Sequence, residues 1–123
     1  MSRPVVPPGW PAEVRPPDTP DWERTAVAWL FDLCPPDYRA HEVLRRHPVV
    51  LARFAAHHVQ AGVEAARRGL GTTRDELRGL ASPETVAAAL AAYEREGARL
   101  VVASRAVSLV EDALRGRRFV ARL

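Results

Sequence analysis

The placement of proline constrains this chain more than any other feature. Seven of the eleven prolines fall within residues 1–20, two form Pro35-Pro36, and the others are Pro48 and Pro83. Proline lacks a backbone donor and clashes with the preceding turn, so helix interiors exclude it while the first helical position accepts it. The distribution leaves room for two long helices, one opening at Pro48 and one at Pro83. Upstream of them it allows only short elements.

The hydrophobic pattern fills both stretches. From Pro48 to about Gly69, Arg53, His57, Gln60, Glu64, Arg67 and Arg68 keep to one side of a helical wheel. The remaining broad arc is apolar and must be covered from more than one direction. Gly69 and Gly71 predict the C-terminal stop of this helix. Thr73-Arg74-Asp75-Glu76 then reads as a capping box opening a further short helix. Ser82-Pro83-Glu84 caps the second long helix, which runs to about Arg115 and stops at Gly116. Its seam is Val86, Leu90, Tyr93, Gly97, Leu100, Ser104, Val107 and Leu114, with Glu111 on the same line. Those steps of four and three give a coiled-coil-like period, with small residues where two backbones approach. At 1.5 Å per residue the helices are roughly 33 Å and roughly 50 Å long. Packed antiparallel, the second overshoots the start of the first with an apolar end (Val102, Val107, Leu109, Val110, Leu114).

Upstream, Thr19 reads as an N-cap with Pro20 at the first helical position. Trp22, Ala26, Trp29, Leu30 and Leu33 form one stripe, with Val27, Phe31 and Cys34 on another side. A short helix over about Asp37 to Arg46 follows. The arm before Thr19 reads as extended, polyproline-like backbone, pinned by Val5, Val6, Trp10 and Val14. The expected fold is all-α, a small helical bundle around two long antiparallel helices (about 48–69 and 83–115). It is organised as an arm (1–20), a helical domain (21–116) and a basic tail (117–123). Leu51, Phe54, Val59, Leu90, Leu100 and Val107 are the expected core, with Leu100→Ala costing roughly 2–5 kcal/mol.

Charge and motif content exclude more than they select. No apolar run approaches the roughly 18–20 residues of a membrane span, and the N-terminus lacks the apolar stretch of a secretory signal. One cysteine, Cys34, has no partner within the chain; it reads as a small buried hydrophobe in a reducing, cytoplasmic setting. All 18 basic residues are arginine, and lysine, isoleucine and asparagine are absent. That composition is what codon pressure in a high-G+C bacterial genome is expected to give. Arginine lifts the pI while the net charge stays at +3, a weak footprint for a duplex.

For catalysis the sequence offers no motif. Neither Glu-x-x-His nor His-Glu-x-x-His occurs, and no lysine exists to complete a phosphate loop at Gly69-Leu70-Gly71. No catalytic residue, metal site or cofactor is expected. His57 and His58 are adjacent, so they point about 100° apart on a helix and are poorly placed to chelate one metal. His58 lies at the centre of the apolar arc and reads as a core histidine. A ligand pocket lined by His58 and Tyr93 is the alternative. The tail residues Arg115, Arg117, Arg118 and Arg122, with Phe119 between them, either fold back on the bundle or contact a protein or nucleic acid. The leading expectation is a non-enzymatic helical interaction or scaffold protein, homodimeric or docked on another protein. The alternatives are a nucleic-acid-associated protein using the tail, and a small-ligand binder or enzyme near His58.

Overall fold

The structure is a computed structural model describing residues 5–122; Met1–Pro4 and Leu123, the ends of the expected arm and tail, lie outside the described residues. The chain is all-α, with no strand among the described residues. Helix α1 spans Trp22–Asp32, a 3-10 turn covers Pro36–Ala40, and α2 spans Glu42–Arg46. Two long helices follow, α3 at Pro48–Glu76 and α4 at Pro83–Leu114, and they pack against each other along their length. Both prolines sit at the start of their helix, and the Ser82 side chain accepts from the Thr85 backbone N–H at 3.1 Å to close the first turn of α4.

Gly69 and Gly71 do not end α3, and Thr73 opens no separate helix. Helix α3 runs 29 residues, straight through all three. Gly69 stays helical because its bare backbone faces α4: a Cβ built there would overlap the Tyr93 ring. Thr72 donates its hydroxyl to the Arg68 carbonyl one turn back, at 2.9 Å, and Thr73 is buried. The stop comes later, at the tip, where Gly79 takes a positive φ of 75°. With 29 and 32 residues the two helices are nearly equal, so the expected overshoot of α4 is largely removed.

The base of this hairpin carries the core. Leu30, Leu44, Leu51, Val107 and Val110 are fully buried, as are Ala26, Ala52 and Ala55. Phe31 and Cys34 are buried beside them, so α1 hides both its apolar sides within the monomer. Val59 is buried as expected. Phe54 is not: at 43% exposure it lies on the outer side of α3, edge-on to the Tyr38 ring. Leu90 and Leu100 are only half-buried, because no third layer covers their part of the hairpin. The larger cost expected for Leu100→Ala therefore belongs to the base.

The arm is folded rather than extended. Backbone N–H groups of Trp10, Val14, Thr19 and Trp22 donate three residues back, to Pro7, Pro11, Pro16 and Thr19, giving a chain of turns. Gly9, Asp18 and Asp21 supply the left-handed residues that such turns need. Thr19 consequently caps nothing; its hydroxyl donates to the Pro16 carbonyl, and Asp21 precedes the first turn of α1. Pro11 and Val14 are buried and the Trp10 indole N–H donates to the Val14 carbonyl at 2.9 Å. The arm passes over Leu109 at Gly9, closing within one chain part of the apolar end of α4.

Candidate functional site

His58 and Tyr93 are not brought together. His58 is exposed on α3, its ring 5.9 Å from Tyr38, so it is not a core histidine. The apolar arc of α3 is wider than the surface its neighbours cover, and His58 falls on the uncovered part. Tyr93 lies on α4, over Gly69. Tyr93 lines a depression with Val63, Ala66 and Gly97, and His58 is not among its lining residues. Nor does any group of three His, Cys, Asp or Glu side chains converge in a metal-holding arrangement among the described residues.

The tail arginines have intramolecular partners. Arg115 Nε donates to Glu111 at 2.9 Å, and Arg117 Nη1 donates to Asp112 at 2.9 Å. Arg118 grips Asp18 with two parallel bonds, Nε to Oδ2 at 2.8 Å and Nη2 to Oδ1 at 3.0 Å. Its third nitrogen donates to the Ala113 carbonyl at the end of α4, and the guanidinium lies 5.6 Å from the Trp22 ring. This hydrogen bonding holds the Asp18 carboxyl below the usual aspartate range and raises Arg118. One side chain thus ties arm, α1 and α4 together. Phe119 and Arg122 are both exposed.

Two further polar features belong to the base. Glu111 is buried on the seam and receives Arg53 from α3 at 2.9 Å as well as Arg115 from its own helix. A carboxylate with two guanidinium partners is satisfied, and here it locks α3 to α4. Burial also pushes the Cys34 thiol up, away from the reactive thiolate form. A cavity of about 400 Å³ lies between arm, tail and α4, lined by Pro7, Trp10, Leu109 and Phe119. Its charged members, Asp18 with Arg118 and Asp112 with Arg117, are already paired.

Among the described residues, the outer half of the hairpin has no third layer over it. All buried residues of α4 (Ala106, Val107, Val110, Glu111, Ala113) lie in its last third. From Pro83 to Arg105 no residue is buried, although Val86, Leu90, Tyr93, Leu100 and Val101 all lie there. Three adjoining depressions make one shallow groove between α3 and α4 on this half. It runs from Leu77 and Val86 near the tip to Val63 and Val101. Leu70 and Leu90 form its floor, Ala87, Ala91 and Ala98 keep its α4 wall low, and Arg67, Arg74 and Glu94 stand on its rim. Along α4 the groove is about 22 Å long.

Sequence reasoning identified the apolar positions of this surface but assigned them to the core. A broad apolar arc looks the same whether a third layer of the same chain covers it or nothing does. With 11, 5 and 5 residues, α1, the 3-10 turn and α2 are together too short to cover more than one end of the hairpin. No described helix is long and apolar enough to cross a membrane. Comparison with protein-family models, with curated proteins and with solved structures finds no match.

Proposed function

We propose that this chain is a non-enzymatic helical interaction protein that docks its partner on the groove of the outer α3–α4 hairpin. The observation that carries the reading is the absence of any buried residue in α4 before Ala106. Helices of this kind draw most of their stability from burying an apolar face, and a bare pair is marginal in water. Leu70, Leu90 and Val101 stay partly open to solvent in a groove bounded by charges, which is the anatomy of an apolar interface core with a polar rim. A cytoplasmic setting belongs to the same reading, resting on the buried, unpaired Cys34. Nucleic-acid binding by the tail is less well supported, since Arg115, Arg117 and Arg118 are each engaged by a carboxylate.

Site-specific photocrosslinking tests this reading. A photoreactive residue replacing Ala91, within the groove, is compared with one replacing Arg24 on the exposed side of α1, in cells producing the chain at its natural level. The groove position is expected to give a defined adduct, identified by mass spectrometry, that the α1 position does not give. No adduct from position 91, or the same adducts from both positions, overturns the proposal.

A further inference from the structure

Resting on that docking reading, we infer that the groove's occupant is a second copy of this chain, bound with its two-fold axis parallel to α3 and α4. The resulting four-helix bundle sets α4 of one copy along α3 of the other, with Glu94 of each copy on Arg67 of its mate. Three observations lead there: the charge balance of the outer hairpin, the register between its helices, and the side on which the base carries its bulk.

Residues 60–101 contain six arginines and six carboxylates. The groove itself carries both signs, Glu94 beside Arg67 and Arg74, with Arg78 already held by Asp75, and a copy of the same hairpin brings both signs to it.

Register then decides the geometry. Gly62 meets Leu100, Ala66 meets Gly97, and Gly69 meets Tyr93 across the seam. Glu94 therefore stands level with Arg67 on the neighbouring helix. Both line the same stretch of groove, yet neither forms an ion pair among the described residues. A two-fold axis along the hairpin keeps every height and exchanges the helices, so each Glu94 meets Arg67 of the other copy twice over. A two-fold axis across the helices instead stacks α3 on α3 about Leu70, turning Arg67 toward Arg74 of the other copy. Like charges so placed oppose association.

The faces are free to meet. At 100° per residue, Phe54 and His58, which carry Tyr38 and the 3-10 turn, lie between about 120° and 180° around α3 from Val63 and Leu70. On α3 the base is thus built out on the side away from the groove. On α4 the arm and tail cover Leu109 and Asp112, in line with Ala91 and Glu94, so the contact is confined to the hairpin beyond them. Ala87, Ala91 and Ala98 on α4 permit the close approach that antiparallel helices make in a four-helix bundle. The contact is isologous: the same residues serve on both copies, and it closes after two.

The test exploits that symmetry. Sedimentation equilibrium of the full chain is expected to give a concentration-dependent dimer. Glu94→Arg alone and Arg67→Glu alone should each dimerise at least about tenfold more weakly, since each homodimer then holds like charges. Mixed in equal amounts, the two variants should recover a heterodimer near wild-type affinity, because both crossed pairs become opposite again. Far-UV circular dichroism of each variant verifies the monomer fold, in which neither residue is paired. A wild type that stays monomeric up to its solubility limit overturns the inference, as does a mixture no tighter than its components. If the Ala91 photocrosslinker then captures a different protein, docking stands and the second copy falls; if it captures none, docking falls with it.

Discussion

Gly69 and Gly71 stand two residues apart in α3 and meet opposite surroundings. A Cβ at Gly71 would have nothing within 4 Å, whereas one at Gly69 would overlap the Tyr93 ring. Glycine in a helix interior costs about 1 kcal/mol against alanine. Gly71→Ala should therefore raise unfolding stability by about 0.5–1 kcal/mol in denaturant titration at low protein concentration. Gly69→Ala gains the same helical term but must displace Tyr93, and overpacking costs about 1–3 kcal/mol. It should destabilise in the wild type and stabilise in a Tyr93→Ala background. A Gly69→Ala effect of the same sign and size in both backgrounds would show that the ring is not what this glycine accommodates. The pair also marks the limit of reading residues from sequence. Both were expected to stop the helix, because glycine's intrinsic preference is local and legible, whereas the ring that makes Gly69 useful arrives from α4, 24 positions later in the chain.

The elements were more legible than their coverage. Pro48, Pro83 and the Ser82 cap are local signals with one strong outcome each, and the two long helices begin where those signals stand. The seam from Val86 to Val107 also runs between α3 and α4 as its period implies, with Gly97 against Ala66 and Leu100 against Gly62. How deeply each seam residue is buried depends on a third layer, and periodicity carries no information about that layer. Along α4 this gives a gradient, from half-buried Leu90 through Leu100 to fully buried Val107 and Val110. Opening free energies in a native protein follow such differences in packing. Hydrogen exchange in dilute solution should therefore show amides of residues 86–101 exchanging on the order of tenfold to a hundredfold faster than those of 106–113. Raising the protein concentration into the dimer range should slow the outer set and leave the inner set unchanged. Uniform protection along α4 in dilute solution would mean that the outer hairpin needs no partner for its stability.

At the scale of the whole molecule, the two ends of the chain meet at one ion pair. Asp18 and Arg118 are 100 residues apart and join the turn-rich arm to the end of α4, with Trp22 beneath the guanidinium. The tail's arginines were legible as a cluster, and Glu111 and Asp112 stand only four and five residues before Arg115 and Arg117. The partner of Arg118 was not legible, since Asp18 lies 100 positions away. The pair is exposed to solvent, so it acts as a clasp on the arm and adds little to the core. Its pH dependence has a definite sign. The folded carboxyl is held below the ordinary aspartate value of about 3.9. The clasp is therefore fully present above that value and fades as pH falls through the lower folded one, while Arg118 stays charged throughout. Exchange of the Trp10 indole proton, bonded to Val14 inside the arm, reports the opening by NMR. In the wild type that exchange should remain slow from neutral pH down to about pH 4 and accelerate below it, with base catalysis of exchange corrected for. Arg118→Ala should loosen the arm already at neutral pH and remove the added acceleration in acid, leaving the buried residues of the base as protected as before. Strong salt should mimic part of that change in the wild type, because screening weakens an exposed pair. If the Trp10 proton in Arg118→Ala is as protected at neutral pH as in the wild type, then Pro11 and Val14 hold the arm by burial and the clasp is incidental.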